Sequence, residues 1–145
     1  MTEIRDALTI VRSGDGIDTG RDPGAVARLG EALAERLRSE APEAPEAVVC
    51  WEGDDESVLA HAVAVALGVP VLRATEDMGI LIVSGPRSPG LRVALVATRW
   101  DARNPAGSLL GLVRNESLRP VALASVVSSA VEAADGVPVM ALDGE

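Results

Sequence analysis

One segment of this sequence, residues 91–109 (LRVALVATRWDARNPAGSL), constrains the fold more than any other. It is apolar at four consecutive positions, Val93 to Val96, so both faces of an extended strand would be apolar. A strand with two apolar faces is typical of a parallel sheet that helices cover on both sides. A polar loop follows, and Pro105 favours the start of a helix after it. The segment therefore predicts strand, loop and helix, the arrangement at which open α/β sheets bind ligands.

The rest of the sequence alternates between strand and helix patterns. Helices are predicted at residues 2–11, 22–38, 57–67 and 105–115, and strands at 47–51, 69–72, 79–83, 92–98, 121–127 and 137–142. Residues 128–136 suit a short helical link. We expect one domain spanning residues 1–145, with the α/β class, a three-layer and mostly parallel sheet, and a short N-terminal helical cap.

Composition excludes several classes of function. The formal net charge is −9, and all 13 basic residues are arginines, so we expect no nucleic-acid partner and no chemistry on lysine. A single cysteine, Cys50, and a single histidine, His61, exclude an internal disulfide, a paired-cysteine metal site and a multi-histidine metal centre. No apolar run approaches the ~20 residues of a membrane span, and the N-terminus lacks signal-peptide character. We therefore expect a cytoplasmic protein without membrane contact.

The loop of residues 99–108 is a better candidate for ligand binding than the acidic loop of residues 52–56. Gly107 and Ser108 offer amides and a hydroxyl at the helix start, and Arg103 and Asn104 are suited to hold an anion such as phosphate or carboxylate. Asp101 is suited to contact a sugar hydroxyl. The alternative for Asn104 is a structural one, because Asn followed by Pro is a common signal for a helix N-cap. The two roles are compatible.

The acidic loop of residues 52–56 has three interpretations. Asp54 or Asp55 would cap the following helix, with Glu56 placed favourably for the helix dipole. Clustered carboxylates also suit a hard cation, Mg²⁺ or Ca²⁺, although the spacing matches no calcium loop. A cationic ligand or an arginine-rich partner surface is the third interpretation.

Several segments over most of the chain, among them Ser13–Gly14 with Asp22 and the last strand (GVPVMAL), resemble a known family, the type I phosphoribosyltransferases and their orotate branch in particular. Residues 47–74 (AVVCWEGDDESVLAHAVAVALGVPVLRA) resemble that family's strand, pyrophosphate loop, helix and following strand. In this alignment Gly53 lies in the pyrophosphate loop, and Arg73 matches an arginine common after the second strand. Residues 91–109 stand where the family has its defining motif of apolar strand, acidic pair and phosphate loop. The resemblance implies a homodimer and, for an active enzyme, a Mg²⁺ cofactor.

The departures from the family pattern fall on its chemistry. The family's acidic pair holds the ribose hydroxyls of phosphoribosyl pyrophosphate, and Ala97 and Thr98 occupy those positions here. Only Gly107–Ser108 remains of the Thr/Gly-rich phosphate loop. Carboxylates crowd the pyrophosphate loop, and the family's mobile catalytic loop is shortened to residues 74–90 and lacks its lysines.

These departures favour a non-catalytic or strongly diverged phosphoribosyltransferase-like protein, which binds a small anionic, phosphate- or nucleotide-like ligand or acts as a homodimeric interaction module. The alternative is an active Mg²⁺-dependent transferase using phosphoribosyl pyrophosphate and a nucleobase such as orotate or a purine. In that enzyme Asp101 and either Asp54 or Asp55 would replace the missing carboxylates. A third hypothesis is a flavodoxin-like or Rossmann-like binder, although the sequence has no GxGxxG motif.

Overall fold

The computed structural model describes residues 2–129, 131 and 136–143. The helices are α1 (Thr2–Val11), α2 (Pro23–Glu40), α3 (Asp54–Leu67) and α4 (Ala106–Asn115). The strands are β1 (Arg12–Ser13), β2 (Gly16–Ile17), β3 (Ala47–Trp51), β4 (Val71–Asp77), β5 (Ile80–Ser84), β6 (Arg92–Ala97), β7 (Arg119–Ser125) and β8 (Val139–Ala141). None of the described helices has the length and apolar character needed to cross a membrane.

A six-stranded sheet in the order β5-β4-β3-β6-β7-β8 forms the centre of the molecule. Every neighbouring pair is parallel except β4 and β5, which form an antiparallel hairpin. β3 and β6 lie side by side, with Ala47 opposite Val93 and Val49 opposite Leu95. The chain leaves β3 towards one edge of the sheet and leaves β6 towards the other. The order of the strands therefore reverses between them, and a crevice opens at their carboxyl ends.

Helices cover the sheet on both faces, as the two-sided apolar strands predicted. One core cluster joins α1, α2 and α3 to one face through residues such as Leu29, Leu59 and Val63. The other cluster joins α4 to the opposite face through residues such as Leu109 and Val113. All five residues of β3 are buried. The predicted fold, an α/β three-layer, mostly parallel sheet with a short N-terminal helix, is confirmed.

Some boundaries differ from the sequence prediction. α3 begins at Asp54 rather than Ser57, so the acidic loop is largely the first turn of a helix. β4 continues to Asp77 instead of ending at residue 72, because it pairs with β5 through a two-residue turn. Met78 and Gly79 form that turn with φ values of 52° and 81°, as a tight hairpin turn of the primed type requires. Most of the link predicted at residues 128–136 lies outside the described residues.

The crossing of α2 and α3 depends on a glycine. A Cβ placed on Gly30 would lie 2.5 Å from the Ala62 Cβ and 2.8 Å from the Ala62 carbonyl carbon. Gly111, inside α4, is exposed, and a Cβ there would meet no atom within 4 Å. The two glycines thus occupy helix interiors with opposite requirements for space.

We predict that Gly30→Ala and Gly111→Ala change stability in opposite directions. Overpacking at Gly30 should lower the free energy of unfolding by about 1–3 kcal/mol, because backbone atoms of α3 cannot move away cheaply. Gly111→Ala should raise it by roughly 0.5–1 kcal/mol, because alanine favours the helix. Urea unfolding of both variants measures this, and equal effects would contradict the close approach of the two helices.

Candidate functional site

Two loops face each other at the crevice, one after β3 and one after β6. Trp51, the last residue of β3, donates a hydrogen bond from Nε1 to the Pro105 carbonyl oxygen at 3.1 Å. Its side chain is 8% exposed, so this bond forms at the margin of the core. The indole therefore fixes the spacing between the end of β3 and the start of α4. Trp51 thus has a structural contact at the position where a ligand site was expected.

A buried carboxylate joins the two sides of the crevice. Glu56, in the first turn of α3, accepts hydrogen bonds from the Thr98 backbone N–H at 2.8 Å and from the Thr98 hydroxyl at 2.6 Å. Both residues are buried, with 8% and 6% of their surface exposed. Thr98 stands at one of the two positions where the resemblance placed an acidic pair. The carboxylate at this point of the crevice therefore comes from α3 and points at the strand end.

Burial raises the pKa of the Glu56 carboxyl above its ordinary value. The two hydrogen bonds from Thr98 oppose this effect, and the negative charges of Asp55 and Asp101 add to it. Three acidic side chains thus lie near one another at the end of β6. A bound anion here would meet repulsion of about 3 kcal/mol from each ionised carboxylate at roughly 5 Å, for an effective dielectric constant near 20.

The N-terminal segment closes over both loops. Asp55 accepts hydrogen bonds on Oδ1 from the Thr19 backbone N–H at 2.9 Å and from the Thr19 hydroxyl at 2.6 Å. Thr19 is 5% exposed. On the β6 side, Arg99 donates from Nη1 to the Asp15 carbonyl oxygen at 3.3 Å and lies 3.7 Å from its carboxylate. Residues 15 and 19 therefore tie the N-terminal cap to the two loops of the crevice.

The turn after β6 satisfies its own amides. Asp101 accepts hydrogen bonds on Oδ1 from the backbone N–H groups of Arg103 and Asn104, each at 3.0 Å. The Asp101 N–H donates to the Asn104 carbonyl oxygen at 3.2 Å, and Asn104 Nδ2 donates to the Arg99 carbonyl oxygen at 3.4 Å. A carboxylate of the chain itself thus holds the two amides that would otherwise be available to a bound anion.

The helix caps predicted for α3 and α4 are wrong. Gly53 occupies the N-cap of α3 and Pro105 that of α4, and neither helix has a side-chain capping bond. Asp54 and Asp55 lie inside the first turn, where their charges still complement the helix dipole. Asp55 reaches Thr19 instead of its own helix, and the amide of Asn104 reaches back to Arg99. In both cases a longer-range partner replaces the local cap.

The other predicted site residues lie apart from these bonds. Arg103, Gly107 and Ser108 are exposed and close together in sequence around the start of α4. Arg73 is exposed on β4, opposite Cys50 of β3. Among the described residues, no group of three or more His, Cys, Asp or Glu side chains is arranged to hold a metal ion. Asp54 and Asp55 therefore have no third acidic or imidazole ligand in the described part of the chain.

Sequence reasoning missed the pairing of Glu56 with Thr98 and the role of residues 15 and 19. The resemblance marked Thr98 as a lost acid, and the acidic loop marked Glu56 as an added one. Together these two departures were the available signal, because the end of β6 lacks an acid and the segment after β3 has an additional one. The contacts of Asp15 and Thr19 had no local signal.

We predict that ionisation of Glu56 contributes to the pH dependence of stability. A carboxyl with a raised folded-state pKa binds its proton more tightly in the folded protein. Its contribution to stability is therefore full below the ordinary value of 4.5 and is lost as the pH rises through the folded pKa. Glu56→Gln keeps an acceptor for the Thr98 N–H and removes the ionisation. The difference in Tm between this variant and the wild type should grow in favour of the variant as the pH rises from 4.5.

Asp54→Asn is the matched control, because it removes one negative charge from the same helical turn at an exposed position. Its Tm should follow the wild-type curve. Parallel Tm curves for Glu56→Gln and the wild type between pH 4 and 8 would contradict a raised pKa of the Glu56 carboxyl.

Known structures share this architecture, although no family model and no curated protein matches the sequence. A phosphoribosyltransferase from Corynebacterium diphtheriae is 20% identical, with 98% of this chain and 97% of that chain covered and a TM-score of 0.74. Orotate phosphoribosyltransferase of Mycobacterium tuberculosis, in complex with phosphoribosyl pyrophosphate, is 19% identical over 98% of this chain and 89% of that chain, with a TM-score of 0.73. A hypothetical protein from Neisseria gonorrhoeae with bound ppGpp is 19% identical over 81% and 77%, with a TM-score of 0.60. The chain has a type I phosphoribosyltransferase-like fold.

Proposed function

We propose that this chain is a phosphoribosyltransferase-like protein that does not transfer phosphoribose and that binds a small anion at the start of α4. The observation that carries the first part is the Glu56–Thr98 pair. An internal carboxylate holds the strand end where a transferase needs acidic side chains free for the ribose hydroxyls. Asp101 likewise holds amides of the turn that a transferase needs for phosphate.

The shape of the hairpin supports the same proposal. The family's mobile catalytic loop would lie between β4 and β5, where only Met78 and Gly79 remain. The hairpin thus ends in a two-residue turn, without a long loop between its strands. The phosphoribosyl chemistry would thus lack a loop to exclude water from the oxocarbenium-like intermediate.

The start of α4 is the part of the candidate site that stays open. Gly107 and Ser108 are exposed in the first turn of the helix, where N–H groups have no helical partner. Arg103 is exposed four residues before Gly107, and its guanidinium forms no ion pair within the described part of the chain. A phosphate group here would meet the positive end of the helix dipole, a hydroxyl and a guanidinium. The relatives described with ppGpp and with phosphoribosyl pyrophosphate support a phosphorylated ligand.

Thermal shift with inorganic phosphate tests the binding. A free phosphate concentration tenfold above the Kd stabilises the folded protein by about 1.4 kcal/mol, which raises the Tm measurably. We expect Ser108→Ala combined with Arg103→Ala to abolish the shift. Arg28→Ala is the control, because it removes the same charge from α2. The phosphate-induced rise in the Tm of this variant should match that of the wild type. No shift at millimolar phosphate would overturn the anion site.

Transfer activity is tested separately. Purified protein with phosphoribosyl pyrophosphate, Mg²⁺ and either orotate or adenine should release no pyrophosphate above the rate without protein. Pyrophosphate release that Asp101→Ala abolishes would overturn the non-transferring proposal and establish the active alternative.

A further inference from the structure

A cavity lies between α1, α2 and the two residues that follow β8, Leu142 and Asp143. Its volume is about 910 Å³, within the range of roughly 300–1,000 Å³ that is usual for small-molecule sites. Trp51, Glu56 and Thr98, which define the crevice, do not line it. The cavity is therefore separate from the candidate site at the ends of β3 and β6.

Apolar side chains of α1, α2 and the last residues form one wall of this cavity. Ile4 and Leu8 are one helical turn apart, so they lie on the same face of α1. Leu8 is 8% exposed, and Ile4 and Leu142 pack against the core cluster that joins α1, α2 and α3 to the sheet. From α2 comes Ala32, whose methyl group fills little of the space. The apolar wall is thus continuous with the core.

Three arginines, Arg5, Arg12 and Arg36, also line the cavity. Two of them are held by carboxylates of the chain. Arg12 donates a hydrogen bond to the Asp143 carboxylate at 2.9 Å, which ties the segment after β8 to the end of α1. Arg36 forms an ion pair with Glu40, one turn further along α2. These two guanidinium groups therefore have anionic partners without a ligand.

Arg5 differs from the other two arginines. Its guanidinium forms no ion pair or hydrogen bond in the part of the chain that the structure describes. Glu35, the other acid of the lining, lies 3.7 Å from Arg38 on its own helix. The described lining has three arginines and two acids, so it carries an excess positive charge, although the whole chain has a net charge of −9. An anion at this cavity would thus be attracted, and a guanidinium can bind a carboxylate through two parallel hydrogen bonds.

We infer that this cavity binds a small monocarboxylate with an apolar body. The carboxylate pairs with Arg5, and the hydrocarbon part lies against Ile4, Leu8 and Leu142. Burial of the hydrocarbon against the apolar wall favours binding. A single unpaired guanidinium matches one negative charge, rather than the several charges of a pyrophosphate or a nucleotide. The site therefore takes a class of ligand different from the phosphorylated one proposed for the start of α4.

Isothermal titration calorimetry with octanoate tests the binding, and 1-octanol is the neutral ligand with the same carbon chain. Octanoate should bind with a Kd in the millimolar range or lower. The Kd of 1-octanol should be about tenfold higher or more, because the alcohol cannot form the charge-assisted pair with the guanidinium. No binding at millimolar octanoate, or equal Kd values for the two ligands, would overturn the proposal.

Arg5→Gln tests the charged contact. Arg5 is exposed on α1, so the substitution removes the charge without disturbing the core. We expect the Kd of octanoate to rise about tenfold or more and that of 1-octanol to stay unchanged. Arg87→Gln is the matched control, because it removes the same charge from an exposed loop outside the cavity. Wild-type affinity of Arg5→Gln for octanoate, or an equal loss in Arg87→Gln, would contradict the role of Arg5.

Ala32→Trp tests the location, because an indole at this position would fill the space between α1 and α2. It should abolish the binding of octanoate and of 1-octanol alike. Ala27→Trp places the same side chain at an exposed position of α2 outside the cavity, and it should bind both ligands as the wild type does. Octanoate binding that Ala32→Trp retains, or that both variants lose, would overturn this location. Arg5→Gln should keep the phosphate-induced rise in Tm, so this proposal and the anion site at α4 can fail separately.

Discussion

The pairing of β3 with β6 at the centre of the sheet is the constraint on which the rest of the structure depends. Both strands are buried along almost their whole length, because helices cover both faces of the sheet. The chain leaves the two strands towards opposite edges, so the loops after them must end at one crevice. Polar groups at that crevice lie next to a dry core. They therefore need partners, from a ligand, from water or from the chain itself.

Carboxylates of the chain supply many of those partners. Glu56 holds the end of β6, Asp55 holds Thr19 of the N-terminal segment, and Asp101 holds the turn before α4. Each of these carboxylates accepts hydrogen bonds from two donors, so these polar groups of the loops have acceptors without a ligand. The arrangement has a cost at Glu56, because burial of a carboxylate favours its protonated form. These internal carboxylates would repel a second anion at the end of β6, which leaves the start of α4 as the place where an anion meets donors.

The parts of the fold that could be predicted from the sequence depend on local signals. Asp22 followed by Pro23 correctly predicts the start of α2, where Asp22 Oδ1 accepts from the Ala25 N–H at 3.1 Å. The uninterrupted apolar run of β6 correctly predicts a strand covered on both faces. Both signals act within a few residues of the position that they determine.

The site could be predicted only in part, because its partners are distant in sequence. Asp55 and Thr19 are 36 residues apart, and Glu56 and Thr98 are 42 apart. A local reading assigns such acids to helix caps, since only the fold reveals the threonines that face them. The turn at Asp101 is local, but its hydrogen bonds depend on a loop conformation that residue types alone do not determine.

The two edges of the sheet, β8 and β5, differ in how well the surrounding chain covers them. β8 has only three residues, and its surroundings are well bonded. Arg36 donates to the Ala141 carbonyl oxygen at 3.0 Å, and Asp143 accepts from Arg12 at 2.9 Å and from the Ser128 N–H at 2.6 Å. β5 has five residues and pairs with β4 at the end of the sheet, and its Ile80, Leu81 and Ile82 side chains are exposed. The surroundings of β8 are thus tied to α2 by a hydrogen bond, whereas β5 presents apolar side chains to solvent.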